Sequence, residues 1–181
     1  MIARHFATAL ALLFAASTNL VVSTAQAQGA RPMTFLDTQQ MRQVAATTPS
    51  PDGKWMLYTL STPDWKEAKR QTDIYLVSLQ QGVASTKQMT FTKEKNETSP
   101  RWAHDGSFFV FLSNREAPES ASSRNQLYVM RPDGGEARRI SDTKEGVSDF
   151  AFSEDGRWLA FRSGKSGEEQ LYQLPGNLPD T

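Results

Sequence analysis

The chain of 181 residues contains no cysteine. Disulfides, a thiolate nucleophile and cysteine metal sites are therefore all excluded, and stability has to come from packing. Histidine is almost as scarce, represented only by His5 and His104. Acyl transfer by a serine needs a base within hydrogen-bond reach, usually histidine, and an exposed elbow of the Gly-x-Ser-x-Gly kind; no such elbow occurs here. Charge of either sign is not in excess, with 20 basic and 20 acidic residues. A nucleic-acid footprint needs a basic stripe, so that class of partner is not expected.

The longest largely apolar run, residues 6–16, is too short to span a bilayer. Preceded by Arg4 and followed by Ala25-Gln26-Ala27, it has the three parts of an export signal. Residues 1–27 are expected to be a signal peptide removed after Ala27, which places the mature protein in the periplasm or outside the cell, free of the membrane. Residues 28–48 then form a lead-in. Phe35, Met41 and Val44, with Leu36 and Gln40 between them, suit a short amphipathic helix opened by Asp37 or Thr38 as N-cap.

From residue 49 onward the chain is repetitive. Ser50-Pro51-Asp52-Gly53-Lys54-Trp55, Ala103-His104-Asp105-Gly106-Ser107-Phe108 and Ser153-Glu154-Asp155-Gly156-Arg157-Trp158 are three copies of one turn, with glycines 53 and 50 residues apart. Other elements recur in phase: Tyr75, Tyr128 and Tyr172 within apolar strands, and the polar-apolar-hydroxyl steps Gln88-Met89-Thr90 and Arg139-Ile140-Ser141. Repeats of this length point to solenoids, propellers or arrays. Asp-Gly between apolar runs is a hairpin signal, and Asp133-Gly134-Gly135 supplies another.

In the best-preserved unit the spacing predicts strands over 99–102, 107–113, 126–130 and 136–141. Runs such as Phe108 to Phe111 and Trp158 to Phe161 are apolar on both faces, as in strands covered on both sides. The expected fold is all-β: a partial β-propeller of four-stranded antiparallel blades over 49–181, two complete (about 49–92 and 98–142) and one incomplete (147–181). Propellers close with about four to eight blades, so the chain reads as the front part of something larger.

Most conspicuous polar residues are best explained as turn formers. Asp52, Asp105 and Asp155 offer one carboxylate per turn, unlike a calcium loop. His104 fills the slot held by Pro51 and Glu154, a solvent-facing one. Gly164-Lys165-Ser166-Gly167 reads as a hairpin loop. Asn114 and Arg115 have two readings: Arg115 on the rim toward a substrate carboxylate, or paired with Glu116, Glu119 or a neighbouring blade; the second is favoured. Trp55, Trp102 and Trp158 read as core, and Trp65, in the loop 63–72, as a partner contact. Asn96-Glu97-Thr98 matches a glycosylation sequon, with no modification expected. No catalytic, cofactor-binding or metal-binding residue is assigned.

Pro32-Met33-Thr34-Phe35-Leu36-Asp37, Pro49-Ser50-Pro51-Asp52-Gly53-Lys54-Trp55, Leu60-Ser61-Thr62-Pro63-Asp64, Ser99-Pro100-Arg101-Trp102, Phe111-Leu112-Ser113-Asn114-Arg115 and Pro132-Asp133-Gly134-Gly135-Glu136-Ala137 together resemble a known group. It is the N-terminal propeller of exported bacterial prolyl-oligopeptidase-family serine peptidases, in the dipeptidyl-peptidase and acylaminoacyl-peptidase branches. The resemblance implies a propeller that gates a following α/β-hydrolase domain acting on short peptides. Such a domain is expected as partner, and this chain by itself is expected to be inactive. The alternative is a non-enzymatic periplasmic propeller that binds protein partners, similar to the Tol-system protein.

Overall fold

The computed structural model describes residues 31–118, 120 and 124–178; the expected signal peptide 1–27 lies outside them. Eleven strands form three antiparallel sheets, each a meander in chain order. The first blade joins β1 (Gln43–Pro49), β2 (Trp55–Asp64), β3 (Lys69–Ser78) and β4 (Lys87–Gln88). The second joins β5 (Glu97–Trp102), β6 (Phe109–Ser113), β7 (Gln126–Arg131) and β8 (Gly134–Arg139), and the third joins β9 (Val147–Phe152), β10 (Trp158–Ser163) and β11 (Gln170–Pro175). This is a partial propeller. Among the described residues no helix is long and apolar enough to cross a membrane.

The helix α1 (Phe35–Gln39) is shorter than expected and starts earlier. Its N-cap is Thr34, whose hydroxyl accepts from the Asp37 N–H while the Asp37 carboxylate accepts from Thr34 N–H at 2.7 Å, a capping box. Asp37 is thus the third residue of the first turn and not the cap. Val44 is not helical at all: it pairs with Leu60 across β1 and β2.

The three Asp-Gly turns are built alike. In the first, Ser50 Oγ donates to Asp52 Oδ1 at 2.6 Å and accepts from the Trp55 N–H at 3.0 Å. In the third, Ser153 Oγ repeats both bonds with Asp155 and Trp158 at the same distances. The middle copy has Ala103 in the serine slot, and Ser107 Oγ donates to Asp105 Oδ1 instead, at 2.7 Å. Consecutive turns also touch. A Cβ on Gly106 would sit 3.5 Å from Pro51 Cδ, and one on Gly156 would sit 2.6 Å from His104 Cβ. Gly156 has φ +68°, so a side chain there would be both strained and obstructed.

The core is two layers between sheets. Leu57, Ile74, Leu76 and Met89 of the first blade meet Phe109, Phe111, Tyr128 and Met130 of the second. Val110, Leu112, Leu127 and Val129, on the opposite face of the second blade, meet Val147, Phe150, Leu159 and Phe161 of the third. Position by position, Ile74, Leu127 and Leu171 occupy the same slot; the first two are 0 % exposed and the third 73 %. The difference is what lies over them. Trp158 departs from expectation for the same reason. Its counterpart Phe108 packs against Phe152 of the next blade and Trp55 packs on the first core layer, whereas Trp158 faces no described sheet and is 46 % exposed.

The hydroxyl of the polar-apolar-hydroxyl step has a definite task. Thr90 Oγ1 accepts from the Ile74 N–H at 2.9 Å, and Ser141 Oγ accepts from the Leu127 N–H at 2.8 Å. Each sits where the short fourth strand has stopped pairing and the third strand would otherwise bury a bare donor. Ser141 also donates to Gln126 Oε1 at 2.7 Å. Removing either hydroxyl leaves that backbone donor unmet, which costs about 1–3 kcal/mol. Ser141→Ala and Thr90→Val are each expected to lower the unfolding free energy in urea titrations by that amount, while the neighbouring exposed change Asp142→Ala is expected to move it by less than about 0.5 kcal/mol.

Candidate functional site

The cluster richest in chemistry lies at the junction of the first and second blades, around Glu97. β5 carries Glu97 into the interior, where it is 0 % exposed. Ser113, at the end of β6, donates its hydroxyl to Glu97 Oε1 at 3.0 Å, and Arg115 Nη2 reaches the same oxygen at 3.3 Å. Glu97 Oε2 has no hydrogen-bond partner. The Arg115 guanidinium lies over the rings of Tyr128, at 4.8 Å, and Phe111, at 5.5 Å. Half-buried between two rings and a carboxylate, it is a structural arginine.

Of the two readings for Arg115 the pairing one is right in kind and wrong in partner: the carboxylate is Glu97, in the same blade, not Glu116. Glu116 is held instead by Arg139 Nη1 at 3.0 Å, and Glu119 lies outside the described residues. Asn114 ties the cluster to the blade junction, since its Oδ1 accepts from the Asn96 N–H at 2.8 Å and Asn96 Oδ1 accepts from the Thr72 N–H at 2.9 Å. The sequence hid Glu97 because it appears only as the middle of a sequon, 18 residues before its arginine. The available signal was a lone acidic residue inside a strand.

The other candidates stay apart from this cluster. His104 is exposed on its turn and packs against Gly156. Asp52, Asp105 and Asp155 are each tied into their own turns. Gly164 to Gly167 link β10 and β11 as a hairpin loop. Trp65 stands 61 % exposed at the tip of the β2–β3 hairpin, with Lys66 Nζ over its ring at 5.8 Å. The described residues bring together no nucleophile, base and oxyanion donor.

Two opposed sets of carboxylates set the pH response. Burial pushes Glu97 up from its ordinary value, eased by Ser113 and Arg115, and burial likewise raises Asp73 against its bonds from Gln71 and Thr90. Hydrogen bonds in the turns, chiefly from Ser50, Ser107 and Ser153, pull Asp52, Asp105 and Asp155 down, the last to about 2. A raised pKa means the folded state takes its proton first, so stability is gained as pH falls from neutrality toward the unfolded values near about 4. A lowered pKa means the unfolded chain takes it first, so stability is lost below that. The expected result is a stability maximum on the acid side of neutrality and above pH ~4. Urea midpoints measured across pH check it, and Glu97→Gln is expected to flatten the neutral limb.

No family model matches the chain. Dipeptidyl-peptidase 5 of Porphyromonas endodontalis is 27% identical over 168 residues, 85% of this chain and 22% of the relative. An uncharacterized peptidase, YuxL, of Bacillus subtilis is 34% identical over 116 residues, 62% of this chain and 16% of the relative. The chain therefore spans about a fifth of the length of the curated relatives it matches. Among solved structures, TolB from Acinetobacter baumannii superposes with TM-score 0.54 at 25% identity, covering 75% of this chain and 30% of that one. The acylaminoacyl peptidase of Pyrococcus horikoshii superposes with TM-score 0.53 at 16% identity, over 70% of this chain and 18% of that one, a likeness of fold.

Proposed function

We propose that this chain, a propeller segment related by sequence and fold to the peptidases of the prolyl-oligopeptidase group, forms part of the wall through which short peptides reach a serine-peptidase active site carried by a separate hydrolase domain. The observation that carries the reading is the match to a dipeptidyl-peptidase along 85% of the chain, set beside blades whose polar residues are spent on turns and blade junctions. Residues 1–27 act as an export signal in this reading, the blades fall over about 49–92, 98–142 and 147–181, and the protein works in the periplasm or outside the cell. No group of the chain takes part in bond cleavage.

The purified 181-residue chain is expected to release no chromophore from dipeptidyl or acyl-aminoacyl amide substrates. Turnover that survives purification and tracks the protein would sink the proposal. A second reading, a propeller that binds protein partners without hydrolysis, is favoured by the likeness to TolB at 25% identity. The gene separates the two: an open frame continuing past codon 181 into Gly-x-Ser-x-Gly supports the peptidase, and unrelated sequence there supports the binding module. N-terminal sequencing of exported protein starting at Gln28 checks the leader.

A further inference from the structure

A second site emerges from the second blade, beside the Glu97 cluster, with which it shares Ser113 and Tyr128, and independent of the peptidase reading. Near the end of β8 lies a pocket of about 150 Å³, walled by Glu116, Arg124, Tyr128, Arg139, Thr143 and Lys144 among others. Two hydroxyls in that wall, Tyr128 Oη and Thr143 Oγ1, are buried without any hydrogen-bond partner. Tyr128 is only 1 % exposed. A buried polar group left bare costs about 1–3 kcal/mol, and folded proteins rarely leave two of them lining one cavity unless something fills it.

The chemistry of the wall selects what that is. Arg139 is spent, bonded to Glu116, Asp142 and the Ser141 carbonyl, and it neutralises the single carboxylate of the wall. Arg124 and Lys144 enter no ion pair among the described residues, so the local balance is positive. Burial, with the Glu116 carboxylate beside it, pushes the Tyr128 phenol up to about 12, which keeps it a proton donor at any physiological pH. The Gln126 amide is already committed to the Thr143 carbonyl at 2.7 Å and to the Thr143 N–H at 3.2 Å, and this holds the Thr143 backbone in place. The unspent groups are donors and cations. A water occupies about 30 Å³, so the space admits a group of several heavy atoms.

We propose that this pocket binds a small oxyanion, a carboxylate or phosphate group, received by the hydroxyls of Tyr128 and Thr143 and by the cations of Arg124 and Lys144. The remainder of any larger ligand extends out through the mouth.

The test uses the 181-residue chain, titrated separately with sodium acetate, the dipeptide Ala-Ala and inorganic phosphate at constant ionic strength, with the Thr143 backbone amide and the Gln126 side-chain amide followed by NMR. Saturable shifts at both positions with at least one probe are expected. Acetate and Ala-Ala acting alike identifies a free carboxylate as sufficient, Ala-Ala alone a peptide terminus, and phosphate alone a phosphate group. Tyr128→Phe is expected to weaken binding tenfold or more, because it deletes one of the two receiving hydroxyls. Thr143→Val is a second, independent variant expected to weaken binding. Absence of saturation with all three probes overturns the proposal, as does unchanged affinity in both variants.

Discussion

Arg115→Ala is expected to be among the most damaging single changes in the chain, lowering the unfolding free energy at neutral pH by about 3–5 kcal/mol. The substitution removes the cation facing a carboxylate that is 0 % exposed, and with it the stacking over Tyr128 and Phe111. Glu97 then keeps the Ser113 hydroxyl at 3.0 Å and loses its cation. The buried charge, not the lost contact, sets the cost. Two comparisons identify that origin. Adding Glu97→Gln to Arg115→Ala is expected to restore a large part of the loss, since the charge is gone along with its partner, and lowering the pH toward 5 is expected to do the same by protonating Glu97. A loss below about 1 kcal/mol in urea titrations, the level of exposed pairs, would show that the pair is dispensable.

Leu127→Ala is the second, expected to cost about 2–5 kcal/mol, against less than about 0.5 kcal/mol for Leu171→Ala. The two leucines occupy one slot of the repeat and differ in what covers them: Leu127 is 0 % exposed beneath the third blade, and Leu171 is 73 % exposed. Truncating Leu127 removes its apolar burial and also leaves a hole among Val110, Val129, Phe150 and Leu159, which cannot all move in to fill it. Thermal or urea unfolding of the two variants checks the contrast. Equal costs would mean that the stacking of the second and third sheets contributes little.

The repeat itself is legible in the chain because it is local. Asp52-Gly53, Asp105-Gly106 and Asp155-Gly156 each close a turn within a few residues, and their hydrogen bonds involve serines inside the same motif. The tyrosine strands and the Thr90 and Ser141 steps are visible for the same reason, although the backbone donors they satisfy are not. The places where the sequence misleads depend on distant partners. Trp158 sits in the same motif slot as Trp55 and has a different fate, decided by what lies beyond it. The Glu97 to Arg115 pair joins the two ends of a hairpin. The spacing of Val44 from Phe35 and Met41 suggests a helix, yet the edge of β2 offers it a ladder that a five-residue helix cannot match. The bulges of β1 and β5 are also hidden, since their left-handed positions fall on Ala46 and Ser99 and not on glycine.

Both contacts between sheets have the same sense. The Leu57 side of one blade lies on the Phe109 side of the next, the Val110 side of that one lies on the Leu159 side of the third, and at the rim a residue of each turn leans on the glycine of its successor. Each sheet thus has unlike front and back surfaces, joined front to back. Joints of that heterologous kind repeat one rotation at every step and never satisfy themselves by pairing like with like. Two copies of this chain meeting symmetrically, face against identical face, would have to abandon that geometry; the assembly the blades encode is an arc with a direction.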